Sequence, residues 1–274
     1  MDAQGLQLPH HHQVVLDRFV AACQADERVV AAFLGGSYAG GTADAYSDLD
    51  LGLITTDAAY EAFVAGREAF IRRLGEPVFL ENFNRPDNAF FILADGTECE
   101  LALGREGRFT HIHAGPYRVL LDKIGILRGA VFPPPEPARA EQLETLRRLV
   151  HWFWHDLSHF TTAVGRDQLW WAYGQLELLR LYCVNLACLR RDFTAGTDGY
   201  EKVEQALSVE QLSPLQATFC PLERGAMLQA ALVIVRFYRE LAPVLARTHG
   251  IPYPDRLDAV MYERLGRLCE APPT

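Results

Sequence analysis

The sequence predicts an α/β (α+β) first half built on a mixed sheet, followed by an all-α helical bundle, and three observations predict it. Up to residue 132, short apolar runs with period-two alternation are separated by Gly, Pro and Asp turns, with few helical stretches among them. The run Phe132-Pro133-Pro134-Pro135-Glu136-Pro137 holds four prolines, which remove backbone donors and fix φ, so it is neither a helix nor a central strand. From Arg139 onward apolar residues recur at helical spacing with few strand signals. The domains are therefore expected at 1–132 and 138–274.

Taken in order, residues 14–23 place Val15, Leu16, Phe19, Val20 and Cys23 on one helical face, which suits a helix lying on a sheet. Residues 29–34 form an apolar run that reads as a buried strand; Gly35, Gly36 and Ser37 end it, and 38–47 reads as a loop. Residues 48–54 alternate leucines with other residues, a second strand. An amphipathic helix is expected over 57–74, with Gly75 past its end. Strands follow at 78–83 and 89–93, then the Asp95-Gly96 hairpin signal leads into a strand over 97–103. Strand-like stretches at 108–113 and 118–121 complete the first half. In the second half, 143–154, 169–191, 201–207 and 226–248 favour helix, and 271–274 are expected to fray.

Composition narrows the function. Hydrophobic residues make up 49% and charged ones 22%, ordinary values for a globular chain. A net charge of -9 argues against a partner with a phosphate backbone, so no nucleic acid is expected, whereas cationic substrates are tolerated. Six cysteines without a CxxC pair read as reduced packing residues, which points to a cytoplasmic protein. No signal peptide and no run of the ~18 apolar residues that span a bilayer are seen, so no membrane partner is expected. His10-His11-His12 reads as a disordered terminal tract or an appended sequence rather than a chelating site.

The chemistry concentrates where the first two strands meet. Asp48 and Asp50, at i and i+2 on one strand, point to one face and can reach a single hard cation, while Leu49, Leu51 and Leu53 point into a core. Gly36 and Ser37 beside them offer backbone N–H groups and a hydroxyl to phosphate oxygens. Glu98 and Glu100 share one face of a later strand, and either supplies a third acid, as second-metal ligand or as the base that takes a hydroxyl proton. An in-line attack on an α-phosphate needs these groups, because Mg²⁺ must neutralise and align the triphosphate.

Leu34-Gly35-Gly36-Ser37, the Gly40-Gly41-Thr42 loop and Ser47-Asp48-Leu49-Asp50-Leu51 together resemble the signature of the DNA polymerase β type nucleotidyltransferase superfamily. The Gly96-Thr97-Glu98 strand, Leu120-Leu121-Asp122-Lys123 and Leu176-Glu177-Leu178-Leu179-Arg180 are similar to antibiotic nucleotidyltransferases acting on aminoglycosides or lincosamides. The resemblance implies a catalytic first domain and a helical, substrate-binding second domain that closes over a cleft. It implies ATP or another NTP with Mg²⁺, and transfer of a nucleoside monophosphate, AMP first, to a hydroxyl of a small molecule such as an antibiotic. By motif, Asp48 and Asp50 take the metal, and Gly36 and Ser37 the phosphates. Glu100 stands where relatives carry an acid followed by alternating apolar residues, and Glu98 matches the lincosamide-type Gly-Thr-Glu form. Glu100 is preferred and joins the metal set.

Further candidates are Lys123, for the triphosphate or as a solvated strand-end lysine, and Glu177. Glu177 lies within a turn of Arg180, which makes a salt bridge the first reading and a grip on a cationic acceptor the second. Tyr173, with Trp152, Trp154, Trp170 and Trp171, reads as core or interdomain packing, one or two of the group lining an acceptor pocket. His111 and His113 read as paired polar residues on an exposed strand face. The approximate nucleophile elbow at 35–39 fails, because Ala39 replaces the final glycine and two acids follow. Transfer of AMP to a protein, as in toxin-like relatives, and a non-catalytic nucleotide-binding protein on the same scaffold are the other readings. The oligomeric state, a homodimer included, stays open.

Overall fold

The computed structural model describes residues 8–133, 139–194 and 199–270. The chain divides into two compact units, Met1–Pro135 and Glu136–Thr274. Pro134, Pro135 and Pro137 of the proline-rich break, and the last four residues, lie outside the described residues.

The first unit is a six-stranded sheet. Its strands are β1 (Val29–Leu34), β2 (Leu49–Thr55), β3 (Pro77–Glu81), β4 (Asn88–Leu93), β5 (Glu98–Arg105) and β6 (Arg118–Asp122), in the order β3-β4-β5-β2-β1-β6. Only β2 and β5 pair in parallel; the other neighbours are antiparallel. All six residues of β1 are buried because both faces of the sheet are covered at that position. On one face Leu49, Leu51 and Leu53 of β2 and Cys99, Leu101 and Leu103 of β5 pack with Val15, Leu16 and Phe19 of helix α1 (His10–Ala25). On the other, Phe33 and Ile54 pack with Leu127 and Phe132. The period-two alternation of β2 and β5 therefore assigns their remaining residues, acids included, to this second face.

The helix expected over 57–74 is broken. A 3₁₀ turn at Asp57–Ala59 leads into α3 (Tyr60–Ala65), and α4 (Arg67–Ile71) follows, with Gly66 between them. Glycine is among the poorest helix formers, and the Gly66 N–H donates to both Ala62 O and Phe63 O as α3 ends. Residues 108–113 are not a strand: beyond one bridge from Arg108 to Arg105 they form turns. The loop after β1 begins with a short helix, α2 (Gly36–Gly40), closed by Gly41 at φ +75°. The histidine tract is also corrected, since it starts α1. His12 is 4% exposed and shares a 2.7 Å hydrogen bond between its Nδ1 and the Tyr38 hydroxyl.

The second unit is helical: α5 (Arg139–Gly165), α6 (Leu169–Arg191), α7 (Val203–Ala206), α8 (Val209–Gln216), α9 (Arg224–Thr248) and α10 (Asp255–Glu270). Its core is mainly aliphatic, with Phe153 stacked on Tyr238 at 3.6 Å between ring centroids and Trp154 edge-on to the same ring. The Tyr238 hydroxyl is satisfied by donating to Val150 O at 2.7 Å. Helices α8 and α10 were not expected. α10 carries Asp255 and Asp258 in its first turn and buries only Asp258, Met261 and Leu265, a stripe too narrow to stand out in the sequence. Among the described residues no helix is long and apolar enough to cross a membrane.

Candidate active site

The second face of the sheet carries a cavity of about 530 Å³, and it is built from strand register. Asp50 of β2 is the direct partner of Glu100 of β5 in the parallel ladder. Neighbouring strands lie about 4.8 Å apart, so the two side chains rise side by side from one face. Both line the cavity, with Phe33, Gly52, Asn88 and Ala102 around them. Phe33 faces Gly52 across β1 and β2, and a Cβ at Gly52 would fall 2.1 Å from the Phe33 ring; the missing side chain is the space the ring occupies.

The glycines at the end of β1 fit the acids in the same manner. Gly36 has φ +54°, and a Cβ there would lie 1.6 Å from Oδ2 of Asp50, so only glycine admits the carboxylate at this place. Gly35 N–H donates to Asp50 O at 2.8 Å, which ties the turn to β2. A Cβ at Gly35 would strike the ring of His113. Ser37 is the second residue of α2, and its Oγ is buried without a hydrogen-bond partner. Leaving a hydroxyl in that state costs about 1–3 kcal/mol, a cost that a ligand oxygen reached by rotation about χ1 would remove.

Asn88 sits on β4 opposite Ala102, diagonal to Glu100, and its Nδ2–H donates to Glu100 Oε1. One carboxylate oxygen is thereby fixed on a residue that lines the cavity. Glu98 lies two residues back, paired with Ile92, exposed and outside the cavity lining. Asp48 stands just ahead of β2, half-buried and likewise outside that lining. The acids act together on their surroundings: burial first, then Asp48, Asp95, Asp50 and Glu98, push the Cys99 thiol far above its ordinary range. Burial, helped by Asp44 and Asp48, likewise raises the Tyr38 phenol.

Basic groups line the same cavity, and the sequence reading missed them. Arg85 and His111 each approach Asp87 at 3.9 Å, and His113 donates from Nε2 to Pro116 O at 2.8 Å. Arg85 lies between the expected strands at 78–83 and 89–93, and the two histidines on a stretch that reads as an exposed strand face. Their signal was available in their type alone, because their approach to the acids comes from turns whose path the sequence does not specify.

Other candidates go elsewhere. Lys123 does not belong here: its Nζ donates to Cys23 O at 3.0 Å and Asp26 O at 2.8 Å, and its N–H to Val30 O. It closes the C-terminal end of α1 beside the start of β1, about four residues or ~13 Å along the strand from Leu34. In the second unit, Glu177 is paired with Arg180, whose buried guanidinium also donates from Nε to Thr218 Oγ1 at 2.7 Å and stacks over Phe219 at 4.1 Å. The carboxylate is the counter-ion of a buried cation, the first of the two readings of this residue. Tyr173 is half-buried against the helical core. Trp154 is buried, while Trp152 and Trp170 are exposed.

The donor set fits a divalent metal. Asp50 and Glu100, with Asp48 nearby, are hard carboxylate oxygens suited to Mg²⁺, and the Gly36 gap leaves room for the Asp50 carboxylate beside the turn. A mixed sheet bearing a strand–Gly–Ser turn against paired acids, one from a neighbouring parallel strand, defines a nucleotidyltransferase of the polymerase β type. The streptomycin adenylyltransferase family model matches residues 10–267, and the chain belongs to that family; it is an adenylyltransferase. Among solved structures it is similar to an aminoglycoside 6-adenyltransferase from Bacillus subtilis, with 13% identity, TM-score 0.43, and 95% of this chain and 99% of that one covered. A nucleotidyltransferase-like protein from Exiguobacterium sibiricum 255-15 matches with 11% identity and TM-score 0.39 over 94% and 89% of the two chains. Both likenesses are low, and membership rests on the family model. No curated protein matches the chain.

Proposed function

We propose that the chain transfers AMP from ATP, with Mg²⁺, to a hydroxyl of an aminoglycoside, streptomycin being the first acceptor to try. The observation that carries this reading is the Asp50–Glu100 ladder pair under the Gly36–Ser37 turn, in a chain of the streptomycin adenylyltransferase family. Asp48, Asp50 and Glu100 would hold Mg²⁺, which when bound supplies charge neutralisation and alignment for in-line displacement. The N–H groups of the first turn of α2 have no intrahelical acceptor and, with the Ser37 hydroxyl, suit phosphate oxygens. Arg85 and His111 supply donors for the same anion. Glu100, held by Asn88 through one oxygen, presents the other to the cation or to the proton of the attacking hydroxyl. The acceptor oxygen bonds to the α-phosphorus as the bond to pyrophosphate breaks, and the hydroxyl proton passes to a carboxylate or to water.

The net charge of -9 supports a polycationic acceptor over a nucleic acid. The free cysteines support a reducing, cytoplasmic setting. The test is incubation with α-labelled ATP, Mg²⁺ and a panel of aminoglycosides and lincosamides. Label on an aminoglycoside is expected, and Asp50→Asn should lower its rate about 100-fold or more while the fold persists. Label on lincosamides alone, on protein alone, or nowhere would falsify the reading.

A further inference from the structure

We infer that α5 carries a second metal site, for a borderline transition ion such as Zn²⁺, made by His155, Asp156 and His159. Positions i, i+1 and i+4 of a helix form a triangle, because i+4 lies one turn above both of the others. Here each residue offers a ligand atom, and the three atoms lie within 4.8 Å of one another. The two imidazole rings are 4.3 Å apart between centroids. Ligands of a tetrahedral zinc stand about 2.0–2.2 Å from the ion, which small rotations of the two histidines would achieve.

What separates this trio from an ordinary exposed pair is the support behind it. Asp156 is 6% exposed, and its two oxygens are oriented from opposite sides: Oδ1 meets His155 Nδ1 at 2.8 Å, and Oδ2 accepts from the Tyr182 hydroxyl of α6 at 2.6 Å. A carboxylate held by a tyrosine beside an imidazole is the outer-shell arrangement that aims metal ligands. Trp152 flanks His155 at 5.3 Å and Trp171 flanks His159 at 5.7 Å, apolar walls around a polar centre. His155 itself is half-exposed, so an ion has an entry side and a fourth position for water. His151 stands one turn earlier in the same row of the helix. Two nitrogens and one oxygen suit Zn²⁺ and its neighbours better than Mg²⁺, whose preference is for oxygen.

The experiment is calorimetric titration of the full chain with Zn²⁺, in a background of His10→Ala and His11→Ala to remove the exposed terminal imidazoles. One bound ion is expected in that background carrying also Asp50→Asn, which takes the acids of β2 and β5 out of the count. It should be lost with His155→Gln or His159→Gln, and weakened about 10–100-fold by Tyr182→Phe. X-ray absorption on the zinc-loaded protein should show two imidazole shells, a readout that does not need the variants to fold. No binding, equal binding in the His155 and His159 variants, or a spectrum without imidazole would overturn the site.

Discussion

Glu98 and Glu100 differ by two positions on β5 and share a face, and their partners alone separate them. Glu100 is matched to Asp50 in the ladder and held by Asn88, while Glu98 faces Ile92 and solvent. Glu100→Gln is therefore expected to cost about 100-fold or more in kcat, and Glu98→Gln less than about threefold. Comparable losses in a steady-state assay of both variants would mean that the ladder pair is not the acid set. Asn88→Ala should lower kcat about 10–100-fold, since Asn88 orients Glu100. Gly36→Ala places a methyl where the Asp50 carboxylate lies, on backbone that costs about 1–2 kcal/mol for any L side chain. Activity should collapse in that variant before the far-ultraviolet circular dichroism changes. The placing of Asp50 beside the glycines was legible in the sequence because strand alternation and the Gly–Ser break are local, whereas Asp48 falls just ahead of β2. Asn88, Arg85 and the two histidines were not, because ladder order and turn path bring them in.

Helix α1 is held by Lys123 at the end of β6 and by Tyr38 of α2, and both contacts give predictions. Lys123 closes its C-terminal end through two carbonyls, so Lys123→Met should lower stability by about 1–3 kcal/mol in urea and leave KM for ATP unchanged. A raised KM without destabilisation would return the lysine to the triphosphate. His12 holds Tyr38 of α2 from the same helix, and burial, followed by His11, lowers its pKa below the ordinary imidazole value. The unfolded chain therefore takes up this proton first. Stability is full above about pH 6.5 and declines as pH falls from there to the folded value. The Tm of the wild type should thus drop more steeply between about pH 7.5 and about pH 5 than that of His12→Gln, which a set of thermal melts at matched ionic strength will show. The histidine tract misled the sequence reading because its position, not its type, makes it part of a helix. Residues 57–74 misled it in the opposite sense, since their apolar spacing passes through Gly66 without a visible interruption.

Across the whole chain, the two classes of backbone were plain from period and from the prolines, and the division into Met1–Pro135 and Glu136–Thr274 sets strand-rich chemistry apart from helical packing. Sheet order was not plain, because nothing local distinguishes an antiparallel neighbour from a parallel one. Yet the proposed site depends on that order. β2 and β5 are separated by β3, β4 and a helical segment, and they meet in parallel with Asp50 on Glu100. A slip of one residue would turn Glu100 toward the apolar side occupied by Leu101 and Leu103, and a slip of two would present Glu98 in its place. The hairpin at Asp95-Gly96 fixes β5 against β4, and so Asn88 beside Glu100, with Gly96 N–H on Leu93 O and Leu93 N–H on Thr97 O. In genetic terms this turn has a fixed length. A codon inserted or deleted there must shift β4 or β5 against its neighbour, whereas a change of sequence that keeps the count, with glycine retained at φ +85°, leaves the reading frame of the sheet intact.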